Sequence, residues 1–128
     1  MAKPTIETRL QRKFILMTAD NSMAESVLSA MDDDWGECQV ITDLDDIGDW
    51  HEILLYRFIV MDLNEVEAFD PLDVIRQIRS EYQINNPVFC FGGDDDIIDE
   101  MRYSRADRFF TREEMIEMIP TFCHQYRW

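Results

Sequence analysis

Basic residues are scarce in this 128-residue chain, in which 12 lysines and arginines stand against 27 aspartates and glutamates, for a net charge of -15. This balance repels a phosphate backbone and leaves no basic patch for counterion release, so nucleic acid is not an expected partner. We expect the acidic surface to keep the protein solvated and to suit a basic protein surface or a bound cation.

Long apolar runs are also missing. The segment from Met1 to Lys13 is mixed and charged, so no signal peptide is predicted, and no stretch reaches the length of a membrane span. We therefore expect a cytoplasmic protein that has no membrane partner.

Cysteine and histidine are too few and too scattered for a zinc site. Cys38, Cys90 and Cys123 lie far apart without CxxC spacing, and we interpret them as reduced packing residues. His51 and His124 stand beside no candidate nucleophile, so imidazole-based catalysis is not predicted.

Glycine and proline number only four each, and no internal repeat or low-complexity segment divides the chain. With 46% hydrophobic residues, a chain of this length can bury one substantial core. We predict a polar lead-in over residues 1–12 and a single domain over residues 13–128.

Short apolar runs alternate with helical patterns along this domain. Strands are predicted at residues 14–18, 38–42, 58–61, 88–91 and 108–110. Helices are predicted over 22–33, within 44–55, from Pro71, from Asp94 and from Thr111. Gly48 weakens the second helix, and Pro120 should kink the last one or interrupt one backbone bond. Five strands alternating with five helices predict an α/β fold, a parallel sheet with helices on both faces.

Polar residues follow three of the predicted strands, in the segments Ala19-Asp20-Asn21, Asp62-Leu63-Asn64-Glu65 and Gly92-Gly93-Asp94. The carboxyl ends of parallel strands meet at one edge of a sheet, so Asp20 and Asp62 should face one cleft near the topological switch point. Repulsion between two such carboxylates raises one pKa or favours a divalent cation, for which Mg²⁺ is the natural candidate.

Four segments, in their order and spacing, also carry a family resemblance. They are Phe-Ile-Val-Met-Asp-Leu-Asn at 58–64, Asp-Pro-Leu-Asp-Val-Ile-Arg at 70–76, Pro-Val-Phe-Cys-Phe at 87–91 and Ala-Asp-Arg-Phe-Phe at 106–110. From Phe14 to about Phe122, the chain resembles the receiver domains of bacterial two-component response regulators. The resemblance implies a flavodoxin-like, doubly wound, five-stranded parallel sheet with strand order 2-1-3-4-5.

The resemblance also implies a site. In that family, an acidic pair after the first strand and an aspartate after the third bind Mg²⁺, and the aspartate accepts a phosphoryl group from a histidine kinase. Asp62 falls on the phosphoacceptor position, and Asp20, Asp62 and the backbone carbonyl of Asn64 fall on the metal ligands. Arg112 falls on the position of the phosphate-neutralising lysine.

Several functional positions of the family have changed in this chain. Ala19 stands in place of the first acid of the pair, so a metal would have two carboxylates instead of three and should bind weakly. Gly92 falls on the switch position and has no hydroxyl, and Glu113 replaces the cis-proline next to the lysine. Phe109 falls on the aromatic switch position, where we interpret it as an ordinary packing residue.

These departures favour a pseudo-receiver, which works by constitutive docking with impaired or absent phosphorylation. The alternative is a receiver that is phosphorylated at Asp62 with weak help from Mg²⁺. In either case we expect a stand-alone signalling domain whose partner is a histidine kinase or a downstream signalling protein, and the family also suggests a homodimer.

An enzyme or a cofactor carrier is the alternative from another class. Aspartate-nucleophile phosphatases of the haloacid dehalogenase type resemble Asp-x-Asp at this point, whereas here Asn64 holds the second position and cannot act as a general acid. A flavodoxin-like carrier would bring a flavin phosphate to the loop that contains Asp20, whose negative charge would repel the phosphate. We therefore expect no enzymatic activity.

Overall fold

The protein, for which we use a computed structural model, is described at residues 11–33, 35–64 and 67–126. These residues form five strands, which are β1 (Lys13–Met17), β2 (Glu37–Ile41), β3 (Ile59–Asp62), β4 (Val88–Phe91) and β5 (Arg108–Phe110). All paired strands are parallel, and the sheet order is β2-β1-β3-β4-β5. The predicted parallel sheet and its strand order are confirmed. Residues 1–10 of the predicted lead-in lie outside the described residues.

In the described part of the chain, five α-helices connect the strands and follow the last one. They are α1 (Asn21–Ala30), α2 (Trp50–Ile53), α3 (Pro71–Arg76), α4 (Asp95–Tyr103) and α5 (Arg112–Gln125). Helix α3 continues as a π-helix over Gln77–Glu81. Among the described residues, no helix is both long enough and apolar enough to cross a membrane.

The second predicted helix differs from the structure. A 3₁₀ turn at Leu44–Asp46 and the one-turn helix α2 stand where a single helix was expected. Gly48, at φ +132°, breaks the helical backbone between them. Asp43 and Asp49 each accept hydrogen bonds from the backbone and start the two pieces separately.

Helix α5 follows its predicted beginning. Thr111 and Glu114 form the capping box that the sequence indicated. The helix continues through Pro120 to Gln125, and because proline has no N–H, one backbone bond is absent there.

Side chains of the central strands alternate between two cores. One face of the sheet packs against α2, α3 and α4 and includes Ile15, Met17, Ile59, Met61, Val88 and Cys90. The other face packs against α1 and α5 and includes Phe14, Leu16, Phe58, Val60, Phe89 and Phe91. Burial on both faces explains why these strands read as continuous apolar runs.

The three cysteines, all within the described residues, form no disulfide, as predicted. Cys90 and Cys123 are fully buried, and Cys38 is partly buried. Burial raises the pKa of Cys38 and of Cys90 to about 12, so neither is a thiolate at neutral pH.

Arg79, which is buried, holds the loop between α4 and β5 in place. Its guanidinium donates hydrogen bonds to the backbone carbonyls of Arg105 and Ile84, at 3.1 and 2.8 Å, and to Oδ2 of Asp107, at 2.9 Å. The same Asp107 oxygen accepts a hydrogen bond from the backbone N–H of Val88, at 2.7 Å. Arg79 therefore joins the end of the α3 segment to the loop that leads into β5.

Candidate functional site

A cleft at the carboxyl ends of β1 and β3 contains both predicted acids. Thr18, the first residue after β1, donates a hydrogen bond from its hydroxyl to Oδ2 of Asp62, at 2.8 Å. The same hydroxyl oxygen accepts a hydrogen bond from the backbone N–H of Asp20, at 3.0 Å. Thr18 is buried, and its hydroxyl connects the two acidic positions through these hydrogen bonds.

Asp62, at the end of β3, is the most buried acid of the cleft, with an exposed fraction of 2%. Its second oxygen, Oδ1, accepts a hydrogen bond from the backbone N–H of Asn64, at 2.8 Å. Burial raises the pKa of Asp62, and the nearby charge of Asp20 raises it further, whereas the hydrogen bonds from Thr18 and Asn64 and the charge of Arg112 oppose the rise.

Asp20 is engaged at the start of α1. Its Oδ1 accepts hydrogen bonds from the hydroxyl and the backbone N–H of Ser22, both at 2.9 Å, and from the backbone N–H of Met23, at 3.2 Å. These hydrogen bonds, the Ser22 hydroxyl first, lower the pKa of Asp20, and the charge of Arg112 adds to the effect. Asp20 is thus a helix cap as well as a cleft acid.

Arg112, the first residue of α5, points to α1. Its Nη2 donates a hydrogen bond to the Ser22 hydroxyl, at 2.8 Å, and lies 3.6 Å from Oδ2 of Asp20. The resemblance indicated Arg112 as a cation for a phosphoryl group on Asp62, whereas in the structure its guanidinium contacts Ser22 and Asp20. The sequence had indicated no part for Ser22 in the cleft.

The other predicted positions lie around the end of β4. The side chain of Asn64 accepts a hydrogen bond from the backbone N–H of Gly93, at 2.9 Å, next to Gly92. Phe109 is partly buried against the core, with the Arg102 guanidinium 4.9 Å from its ring centre. The sequence predicted no role for the Asn64 side chain, because only its carbonyl had been considered.

The residues of the cleft do not fit a tight Mg²⁺ site. The described part of the chain contains no group of three or more acidic, histidine or cysteine side chains that could hold a metal ion. Of the two acids, Asp20 already accepts three hydrogen bonds on Oδ1 and faces Arg112 with Oδ2. Mg²⁺ needs oxygen ligands in near-octahedral geometry, and to bind it Asp20 would have to give up these contacts.

An open cavity of about 950 Å³ lies at the opposite end of the sheet, where β3 and β4 begin. Its described lining includes Trp50, Leu54, Tyr82 and Tyr126 and contains no acid. The cavity is therefore separate from the chemistry of Asp62, and the sequence had not indicated it.

No family model and no curated protein matches the chain. Solved structures do. A response regulator receiver domain from Bermanella marisrubri is 19% identical, with a TM-score of 0.66, over 91% of this chain and 98% of that one. The phosphorylated cyanobacterial phytochrome response regulator RcpA is 14% identical, with a TM-score of 0.69, over 91% and 94%. The response regulator RPA3017 in red light signalling of R. palustris is 15% identical, with a TM-score of 0.62, over 88% and 92%. Together with the sheet order, these similarities show that the chain has the fold of response regulator receiver domains.

Proposed function

We propose that this protein is a signalling domain that acts by docking to other proteins, as a pseudo-receiver whose acidic cleft does not switch by phosphorylation. The observation that carries the proposal is the engagement of Arg112 with Ser22 and Asp20. The cation that would meet a phosphoryl group on Asp62 is in contact with Ser22 and Asp20, at the start of α1.

The state of Asp62 supports the same function. To accept a phosphoryl group, a carboxylate oxygen must be free to reach the phosphorus atom. Asp62 is buried, and each of its oxygens already accepts a hydrogen bond. With only two carboxylates present, Mg²⁺ would give weak help, and Asp20, Asp62 and the carbonyl of Asn64 are the groups that would hold it.

We propose proteins as the partners, either a histidine kinase or a downstream signalling protein, in the cytoplasm. The net charge of -15 suits a basic protein surface and opposes nucleic acid and anionic membranes. A homodimer is compatible with this proposal and is decided by measuring the molar mass in solution.

The alternative is phosphorylation at Asp62. Its position at the carboxyl end of β3, in one cleft with Asp20, favours this alternative. An oxygen of Asp62 would attack the phosphorus of a phosphohistidine, the P–N bond would break, and an acyl phosphate would form as the imidazole leaves. In that case Arg112 would have to leave Asp20 to neutralise the added charge.

Intact mass measurement separates these functions. The protein and its Asp62→Asn variant are incubated with a small acyl phosphate at millimolar Mg²⁺. The proposal expects no mass gain that depends on Asp62, and such a gain would establish the alternative. Turnover of a phosphate ester, measured with the same samples, would instead show an enzyme. For such an enzyme the described cleft has no general acid at position 64, which is occupied by asparagine.

A further inference from the structure

The loops that follow β3 and β4 meet at the side chain of Asn64. Its Oδ1 accepts a hydrogen bond from the backbone N–H of Gly93, at 2.9 Å. Its own backbone N–H donates to Oδ1 of Asp62, at 2.8 Å. A single residue therefore connects the buried acid to the loop that leads into α4.

The backbone opposite Asn64 has a conformation that only glycine adopts readily. Gly92 and Gly93 have φ values of +74° and +80°, in the left-handed region. A Cβ atom on Gly92 would overlap the carboxamide of Asn64. The carboxamide thus occupies the space in which a side chain at position 92 would begin.

This contact lies directly before α4. Asp94 follows Gly93, and its side chain caps the helix by accepting a hydrogen bond from the backbone N–H of Ile97, at 3.0 Å. A Cβ atom on Gly93 would lie 2.8 Å from the Ile97 side chain and 2.9 Å from that of Leu63. The loop is therefore packed closely on both sides, directly before the N-cap residue of α4.

We propose that Asn64 is a positioning residue whose side chain holds Gly92, Gly93 and the start of α4 in one conformation. We call the Asn64 side chain together with the backbone of Gly92 and Gly93 the loop latch. The latch connects the loop after β3 to the loop that leads into α4. This inference goes beyond the proposed function and stands whether or not Asp62 is phosphorylated.

The first test measures the latch hydrogen bond by NMR hydrogen exchange. Asn64→Ala removes the acceptor, Asn64→Asp keeps one, and Asn86→Ala is the matched control, because Asn86 bridges the carbonyls of Ile53 and Tyr56 at the other end of the sheet. From the net strength of a typical hydrogen bond, we expect the backbone amide hydrogen of Gly93 to exchange about fivefold faster in Asn64→Ala than in the native protein. Asn64→Asp should restore slow exchange, and Asn86→Ala should leave it unchanged. Unchanged exchange in Asn64→Ala would overturn the inference.

The second test is a double-mutant cycle between positions 64 and 92. Gly92→Ala should lower the urea midpoint strongly in the native background, because its methyl group meets Asn64. In the Asn64→Ala background the same substitution should lower the midpoint less, since only the backbone strain remains. If Gly92→Ala alone fails to fold, recovery of folding in the double variant supports the latch. Losses that simply add, or a double variant that stays unfolded, would contradict it.

Discussion

Replacement of Thr18 by valine tests how the cleft stabilises a buried acid. Valine has nearly the shape of threonine but cannot donate to Oδ2 of Asp62 or accept from the backbone N–H of Asp20. A hydrogen bond to a buried charged group contributes about 1.5–3 kcal/mol, so we expect the free energy of unfolding to fall by about 2.5 kcal/mol. For a chain of this length, that loss lowers the melting temperature by roughly 9 °C.

The pH dependence of this loss identifies its cause. Because burial raises the folded-state pKa of Asp62, the contribution of this group to stability is complete below its unfolded pKa and is lost as the pH rises through its folded pKa. Thr18→Val removes a hydrogen bond that lowers this pKa, so it should raise the pKa further. The stability difference between variant and native protein should therefore grow with pH through this range and shrink toward acid.

Urea unfolding at several pH values measures the loss, and the carboxyl ¹³C shift of Asp62 follows its titration. Thr18→Ser is the matched control, since it keeps the hydroxyl and should stay close to the native protein. A loss below about 0.5 kcal/mol, or a loss that is the same at every pH, would refute the assignment of a charge-assisted hydrogen bond.

Two further substitutions test the charges on either side of the cleft. Arg112→Ala removes the cation that faces Asp20 and should tighten Mg²⁺ binding about fivefold, measured by titration calorimetry. Arg112→Lys keeps the charge and should bind Mg²⁺ as weakly as the native protein does. Equal Mg²⁺ binding by all three proteins would contradict the ion pair between Arg112 and Asp20. Arg79→Met leaves the carbonyls of Ile84 and Arg105 without their donor and should lower the free energy of unfolding in urea by about 3 kcal/mol. An unchanged free energy of unfolding would show that packing alone fixes the loop between α4 and β5.

The strands could be predicted because a strand that is buried on both faces needs apolar residues at consecutive positions. The runs ending at Met61 and Phe91 are continuously apolar, and each run alternates between the two cores. The helix between β2 and β3 was predicted incorrectly, because apolar spacing alone does not reveal that Asp43 and Asp49 each begin a new helical turn on either side of Gly48.

The site could be predicted in position but not in its contacts. Asp20 and Asp62 follow from the ends of parallel strands, which is a property of the topology. The contact between Arg112 and Ser22 joins residues 90 positions apart and depends on how α1 packs against α5, which no local pattern records. The roles of Thr18 and of the Asn64 side chain were missed for the same reason, since their polar partners lie on neighbouring strands and loops.

The central claim, that the acidic cleft does not switch, is tested most directly by NMR with beryllofluoride at millimolar Mg²⁺. The amide signals of Gly92, Gly93 and α4 are compared with and without the reagent, in the native protein and in Asp62→Asn. We predict that no signal of α4 shifts in a manner that requires Asp62. Shifts along α4 in the native protein that are absent from Asp62→Asn would contradict the pseudo-receiver and establish a functional phosphoacceptor.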